Sequence, residues 1–244
     1  MKNQFSTLNE SSLHKSLKKL YSLDEGSRTE VELDGYIYDI VTKENDVIEI
    51  QNLNVSKLKD KIITALNNNR KIKIVHPVIS KKIIETYTSD QKLLHRRTSP
   101  KKETIYSVLK ELTGIHPLLL KEGFTLELPF ISMTEIRIKT EEPVQTKNKK
   151  RHFKRDWIKT DKKLKEIFET RCLCSRGDYL NLLPKDIPES FTTSDIRAAL
   201  RQQKKTSQAD LKNINLLVWL LSRMEIIEPC GKKGNSIIYK VKQT

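Results

Sequence analysis

The sequence predicts an α/β domain at the N-terminus and a smaller α+β domain at the C-terminus. Residues 9–79 alternate between stretches of helical periodicity and short apolar stretches of strand periodicity. A basic stretch with little periodicity follows at 141–157, and beyond it helical patterns give way to a strand, a glycine-rich turn and a strand. We therefore divide the chain into an α/β domain (1–140), a basic linker (141–157) and an α+β domain (158–244).

The first part of the chain predicts helix, strand, strand, strand, helix and strand, over residues 9–21, 30–34, 36–41, 46–52, 55–69 and 71–78. The first helix has leucines at helical spacing, and Asn9 or Ser11 can cap its start. Residues 42–46 form a polar loop, and Pro77 ends the last strand of this group.

Residues 80–140 have mixed character and predict a hairpin at 83–97, a helix at 104–114 and two strands at 124–130 and 134–140. After the linker, the periodicity predicts helices at 159–171, 178–184, 191–200 and 209–224, then a hairpin at 226–242. Helix, turn, helix and hairpin in this order predict a winged helix-turn-helix.

The composition predicts a partner that carries negative charge. The net charge is +15, and a protein this basic usually meets a polyanion, most often nucleic acid. A ribosome-associated or merely well-solvated protein is the alternative. The charge is uneven, because residues 1–50 carry net −4 and residues 51–100 carry net +8.

Three cysteines do not form a disulfide framework, and they indicate a reducing compartment. No apolar run reaches the ~18 residues of a membrane span, and the first residues lack the apolar core of a signal peptide. We expect a cytoplasmic protein with no membrane partner.

The hairpin at 35–52 carries two carboxylates in its paired strands. If the loop is residues 42–46, Val41 lies opposite Val47 and Asp39 lies opposite Glu49. Two like charges in that position destabilise a hairpin unless a proton, a basic side chain or a divalent cation compensates them. A pair of carboxylates at this separation suits Mg²⁺ or Mn²⁺. The alternative is two carboxylates exposed on the solvent side of the hairpin.

These residues resemble a known enzyme superfamily. A helix, a strand with Asp39 in "YDIV", a strand with Glu49 and Gln51 in "IEIQ", then a helix and a strand resemble the PD-(D/E)XK nucleases. That superfamily includes restriction endonucleases and archaeal-type Holliday-junction resolvases, and the resemblance covers residues 9–79. The whole chain also resembles a bacterial family that joins such a domain to a C-terminal winged helix.

The resemblance implies a mixed sheet with flanking helices, a metal bound by Asp39 and Glu49, and phosphodiester hydrolysis with Mg²⁺ or Mn²⁺. It implies a catalytic position for Glu10 in the first helix, although a helix-terminal charge favoured by the dipole explains Glu10 equally well. Gln51 stands where the superfamily usually has lysine, and glutamine supplies only hydrogen bonds. Lys61 in the next helix could provide the missing charge, or it could be an ordinary solvated lysine.

Basic and amide side chains elsewhere are candidates for contact with DNA. The winged helix would place Gln208, Lys212 and Asn213 on its recognition helix and Lys232 and Lys233 in its wing. The remaining candidates for phosphate contact are Arg96, Arg97, Lys101, Lys150, Arg151, Lys154 and Arg155.

Three functions remain open from the sequence. The first is a metal-dependent DNA endonuclease that a winged helix targets to double-stranded or branched DNA. Cutting both strands would call for a homodimer. The second is a non-catalytic DNA-binding regulator on a nuclease-like scaffold. The third is an assembly factor whose winged helix holds a protein partner.

Overall fold

A computed structural model describes residues 10–145, 153–202 and 207–243. They form an α/β fold in which helices flank a mixed sheet, followed by a smaller group of helices and strands. The helices are α1 (Ser12–Tyr21), α2 (Lys59–Asn67), α3 (Ile105–Leu112), α4 (Arg176–Leu180), α5 (Thr193–Gln202) and α6 (Gln208–Arg223). The strands are β1 (Arg28–Leu33), β2 (Tyr36–Val41), β3 (Val47–Ile50), β4 (Ile72–Val75), β5 (Val78–Tyr87), β6 (Leu93–Thr98), β7 (Phe124–Val144), β8 (Arg155–Leu173), β9 (Ser190–Phe191), β10 (Ile227–Lys233) and β11 (Ser236–Val241).

The main sheet has the strand order β1-β2-β3-β4-β7-β5-β6, and β8 pairs with β7. The neighbours β3, β4 and β7 are parallel, as are β5 and β7, whereas the other pairs are antiparallel. Because β4 and β5 pair with successive parts of one edge of β7, the long strand extends the sheet well beyond the carboxyl end of β3. The predicted α/β class, mixed sheet and flanking helices are therefore confirmed.

Each face of the sheet buries its own apolar cluster. On the α1 face, Leu13 and Leu17 of α1 pack against Ile48, Ile131 and Met133 of the sheet. On the opposite face, α2 and α3 cover a larger cluster that also includes the inner side of α6. Neighbouring side chains on a strand point to opposite faces, which is how one strand serves both clusters.

The predicted helix at 159–171 is wrong, because these residues belong to β8, which pairs along most of β7. The register of this pair shifts between Ser132 and Met133, where an extra residue is inserted into β8. Such a bulge reverses the alternation of side chains, so Leu164 and Ile167 both reach the α1 face although they are three residues apart. That spacing produced the helical pattern.

The strands predicted at 124–130 and 134–140 are one continuous strand, β7. Both ends of the predicted linker are also in strands, since β7 runs to Val144 and β8 begins at Arg155. The predicted boundary at 157/158 therefore falls inside β8. No helix in the described ranges is long and apolar enough to cross a membrane.

The C-terminal elements pack on the main domain through α3. They form a three-stranded sheet in the order β10-β11-β9, in which β9 precedes the helices α5 and α6 in the chain and β10 and β11 follow them. The side chain of Asn213 donates to the carbonyl of Tyr106, 3.1 Å away, and the Tyr106 hydroxyl donates to the carbonyl of Leu182. Ser207 caps the start of α6, and Asp210 completes the capping box by accepting from the Ser207 N–H; Asp210 also accepts a hydrogen bond from the hydroxyl of Thr104.

Candidate active site at the β2/β3 fork

The paired strands of the hairpin separate at the two carboxylates. Backbone pairing joins Val41 to Val47 and Ile40 to Ile48, which confirms the predicted loop and register. Beyond that point, backbone N–H groups of the two strands donate to side-chain carboxylates and not to backbone carbonyls. The Asp39 N–H donates to Glu49 Oε1 at 3.0 Å, and the Ile50 N–H donates to Asp39 Oδ2 at 2.8 Å. We call this arrangement the fork; it places both carboxylates at the carboxyl end of β3.

A lysine from α2 compensates Glu49. The Lys61 Nζ lies 2.5 Å from Glu49 Oε1 and also donates to the carbonyl of Ile37. The side chains of Lys61 and Glu49 are only 12% and 7% exposed. Lys61 is therefore a buried partner of the fork and not a solvated helix lysine, because water is largely excluded from this ion pair.

A second group of charges compensates Asp39 from α1. Asp39 Oδ1 lies 3.5 Å from both His14 Nε2 and Lys18 Nζ. Glu10 Oε1 lies 2.8 Å from the same two nitrogens, and Glu30 of β1 also pairs with Lys18. The structure places Glu10 just before α1, whose cap is Ser11, and not inside the helix as predicted. Its contact with this cluster nevertheless joins it to the fork.

The surroundings of the two carboxylates shift their pKa values in opposite directions. Burial acts to raise the pKa of Asp39, but His14, the Ile50 N–H and Lys18 together lower it below its ordinary value. Burial raises the pKa of Glu49, with Asp39 adding to the effect and Lys61 opposing it. Burial acts to lower the pKa of Lys18, but the hydrogen bonds that Lys18 donates to Glu10 and Glu30 outweigh this effect and raise that pKa. Asp39 is thus held ionised, whereas Glu49 takes up a proton more readily.

The charges and donors at the fork fit a divalent cation. Four carboxylates (Glu10, Glu30, Asp39 and Glu49) share two lysines (Lys18 and Lys61), so these six side chains carry net −2. One donor atom from each of Glu10, His14 and Asp39 lies within 4.8 Å of the others. His14 Nε2 is buried and makes no well-aligned hydrogen bond within the described residues, although Glu10 Oε1 and Asp39 Oδ1 lie 2.8 and 3.5 Å from it. A metal ion would satisfy this atom and the excess negative charge.

This ligand set differs from the predicted pair. The geometry unites Asp39 with Glu10 and His14, whereas Glu49 is bonded to Lys61 on the other side of the fork. The predicted catalytic Gln51 is directed elsewhere, since its amide donates to the carbonyl of Asn54 at 3.3 Å. The sequence analysis missed His14 and Lys18, although they follow Glu10 at spacings of four and eight residues, which put side chains on one side of a helix.

The β8 strand holds the start of α1 in place. The backbone N–H of Ser12 donates to Asp161 Oδ1 at 2.9 Å, and its hydroxyl donates to Asp161 Oδ2 at 2.6 Å. Burial acts to raise the pKa of Asp161, but these bonds and the Lys162 N–H lower it. Asp161 therefore positions the helix that carries His14 and Lys18.

The predicted DNA contacts outside the C-terminal elements lie around β6 and at the start of β8. Arg96, Arg97 and Lys101 are exposed on or just after β6, and Lys154 is exposed before β8. The guanidinium of Arg155 lies 4.7 Å from the ring centre of Trp157, whereas Lys150 and Arg151 lie outside the described residues.

The predicted recognition helix is partly covered. Gln208 and Lys212 are exposed on α6, and Lys232 and Lys233 are exposed near the tip of the β10/β11 hairpin. Asn213 is not free to read bases as predicted, because its amide is bonded to the carbonyl of Tyr106. The reason is that α6 packs on α3, a contact that the sequence pattern of α6 alone does not reveal.

Comparison with known proteins gives a family but no activity. Residues 11–174 match the family described as "Domain of unknown function (DUF8091)", and the chain belongs to this family. The match begins at the cap of α1 and ends one residue after β8, so it spans the whole main sheet. An "Uncharacterized protein" of Treponema pallidum (strain Nichols) is 28% identical over 190 residues, covering 78% of this chain and 72% of the relative. No solved structure matches.

Proposed function

We propose that the protein is a metal-dependent DNA endonuclease that hydrolyses phosphodiester bonds at the β2/β3 fork. The observation that carries the proposal is the convergence of Asp39, Glu49 and Lys61 at one point of the sheet, with Glu10 brought to the same cluster. This is the residue set implied by the resemblance to PD-(D/E)XK nucleases, with Lys61 in place of the lysine that the sequence lacks at Gln51.

The residues of the fork have separable roles in this proposal. Glu10, His14 and Asp39 would hold the cation. A bound divalent cation stabilises charge on the phosphate and lowers the pKa of the attacking water. Lys61 would supply a positive charge to a phosphate bound at the fork, in a site where exclusion of water strengthens that charge. Glu49, whose pKa burial raises, can accept a proton from the water.

The ligand types favour Mn²⁺ over Mg²⁺. Mg²⁺ prefers oxygen ligands in near-octahedral geometry, whereas imidazole suits transition metals and carboxylates suit Mn²⁺. A set of two carboxylates and one imidazole is therefore better matched to Mn²⁺. We expect cleavage to be faster with Mn²⁺ than with Mg²⁺.

We also propose that the C-terminal elements act as a winged helix that contacts DNA through its hairpin. The order α5, α6, β10, β11 supports this reading, as do the exposed Lys232 and Lys233. The packing of α6 on α3 leaves the hairpin as the more accessible element. If both strands are cut, a homodimer would supply the second fork.

The second candidate function is DNA binding without cleavage. The observation that favours it is Lys18, whose ammonium group lies among the same carboxylates that would hold the metal. In that case Lys18 would replace the cation, and the fork would be a structural ion cluster.

A cleavage assay separates the two functions. Labelled duplex, single-stranded and four-way-junction DNA would be incubated with the protein in Mn²⁺, Mg²⁺ or EDTA. We expect metal-dependent cutting that Asp39→Asn and Glu49→Gln abolish, while Glu32→Gln, an exposed carboxylate on the neighbouring strand β1, retains it. Binding of all three DNA forms with no cutting in either metal would favour the second function.

A further inference from the structure

A row of basic side chains crosses four strands on one face of the sheet. Residues paired across neighbouring strands point to the same face. In this way β7 aligns Glu135 with Lys162 of β8, and Arg137 with Lys159 of β8. We define the basic platform as six Lys and Arg residues of β5, β6, β7 and β8: Lys82, Arg97, Arg137, Lys139, Lys159 and Lys162.

The platform lies on the α1 face, directly beyond the start of α1. Met133 packs beneath α1, and Glu135 and Arg137 follow it on the same face of β7. Asp161, which binds Ser12 at the start of α1, lies between Lys159 and Lys162 on β8. The platform therefore borders the helix that contributes His14 and Lys18 to the fork.

The platform has more positive charge than its own carboxylate can compensate. Glu135 is 2% exposed and lies 2.5 Å from Arg137, 3.0 Å from Lys159 and 3.9 Å from Lys82. Burial lowers the pKa of Lys82 and of Lys162, and the neighbouring Lys159 lowers both further. Three more carboxylates lie near the platform: Asp156 lines the groove beside Arg97 and Lys139, Asp161 lies between Lys159 and Lys162, and Glu103 is close enough to raise the pKa of Lys162. Six cations against these four carboxylates leave a net positive charge, which a bound anion would relieve.

Ring stacking orients part of this surface. The Arg137 guanidinium lies 3.6 Å from the ring centre of Trp157, and its Nε also donates to Glu135. A groove of about 430 Å³ opens beside this pair, with Arg97 and Lys139 in its lining. Arg137 is thus held in one position, whereas Arg97 and Lys139 are exposed and free to approach a ligand in the groove.

We propose that the basic platform binds the phosphate backbone of nucleic acid and leads it to the fork. The inference rests on the proposed function for the identity of the fork, but the binding itself does not require cleavage. Neighbouring strands lie about 4.8 Å apart, so four strands span about 14 Å, enough for several successive phosphates. The charge complementarity favours a polymeric polyanion over a single small anion.

The test is the salt dependence of DNA binding in EDTA, where no cutting takes place. The triple variant Arg97→Gln/Lys139→Gln/Lys159→Gln removes three platform charges whose side chains are exposed, so the fold should persist. The matched control Lys121→Gln/Lys163→Gln/Lys165→Gln removes three exposed charges elsewhere; Lys163 lies on the same strand as Lys159 but pairs with Thr134 and points to the opposite face. Thermal unfolding of each variant confirms that it is folded.

Each phosphate contact contributes about −0.9 to the slope of log affinity against log salt for duplex DNA. We expect the platform variant to reduce the magnitude of this slope by about 2 to 3, while the control reduces it by less than half as much. Equal slopes for the two variants would overturn the platform. Binding of the wild type to phosphatidylglycerol vesicles at least as tight as its binding to duplex DNA would overturn the choice of nucleic acid. Cleavage by the wild type in Mn²⁺ is scored separately, so failure of the platform and failure of the nuclease proposal are distinguished.

Discussion

Substitution of Lys61 by methionine tests whether the fork depends on this lysine. Methionine keeps the length and the apolar stem of the side chain but removes the charge. The lost ammonium group has two bonds of 2.5 Å, to Glu49 Oε1 and to the carbonyl of Ile37, in a site that is 12% exposed. Removal of one member of a buried ion pair costs about 3–5 kcal/mol. We expect about 3 kcal/mol, since Glu49 already has a raised pKa and can partly neutralise itself by taking up a proton.

The assay is urea unfolding at neutral pH in EDTA, with the slope m compared between variants. Lys59→Met on the same helix is the control; Lys59 is exposed, and its replacement should change the unfolding free energy by less than about 0.5 kcal/mol. The double variant Lys61→Met/Glu49→Gln should be more stable than the sum of the single effects, by about 1 kcal/mol or more. If the Lys61→Met variant were as stable as the Lys59→Met variant, the reasoning would be refuted. Lys61 would then be an ordinary solvated helix lysine.

Three further predictions concern the position of α1, the role of His14 as a metal ligand and the docking of α6 on α3. Asp161→Asn should lower stability by about 1 kcal/mol near neutral pH, a value reduced for solvent screening. Folding lowers the pKa of Asp161 below its ordinary value of 3.8, so the stability advantage of the wild type should be lost as the pH falls below 3.8 and through the folded pKa. Urea unfolding at a series of pH values measures this difference. A difference between the two proteins that stays the same at low pH would contradict the prediction. His14→Gln should weaken Mn²⁺ binding about tenfold or more in a calorimetric titration but leave Mg²⁺ binding nearly unchanged; equal losses for both metals would contradict the proposed preference for Mn²⁺, and no loss for either would exclude His14 as a ligand. Asp210→Ala should cost about 1–3 kcal/mol, since it removes the Asp210 half of the capping box of α6 and the bond from Thr104, and a change below about 0.5 kcal/mol would contradict the docking of α6 on α3.

The local order of elements was largely predictable because periodicity and turn chemistry act over short distances. The hairpin register could be predicted from the polar loop at 42–46, since loop length fixes which residues oppose each other. The strand β8 could not be predicted, because its bulges bring Leu164 and Ile167 to one face at a spacing typical of a helix. Only the pairing with β7, more than 25 residues away along the chain at this point, shows that the segment is extended.

The part of the candidate site that lies in adjacent strands could be predicted from the sequence. The part that depends on how a helix packs on the sheet could not. Asp39 and Glu49 follow from the register alone. Whether Lys61 reaches Glu49 depends on how α2 packs on the sheet, which the sequence does not specify. The direction of the Gln51 side chain depends on the turn at Asn54, whose left-handed backbone brings its carbonyl within reach.

The platform was missed for a related reason. Arg97 was recognised as a basic residue near other basic residues, but its neighbours in space come from β7 and β8. Lys159 and Lys162 belong to the segment that was predicted as a helix, and a helix would not have placed them in register with Arg137 and Glu135. Long-range strand pairing is the information that a single sequence lacks here.

The most direct test of the central claim is the single-turnover rate of DNA cleavage as the Mn²⁺ concentration is raised, for the wild type and Asp39→Asn. The nuclease proposal predicts a wild-type rate that rises and saturates with Mn²⁺, and a loss of about 10³-fold or more in Asp39→Asn at the same DNA occupancy. The measurement would contradict the proposal if wild-type protein bound duplex, single-stranded and junction DNA at saturating Mn²⁺ without cutting any of them.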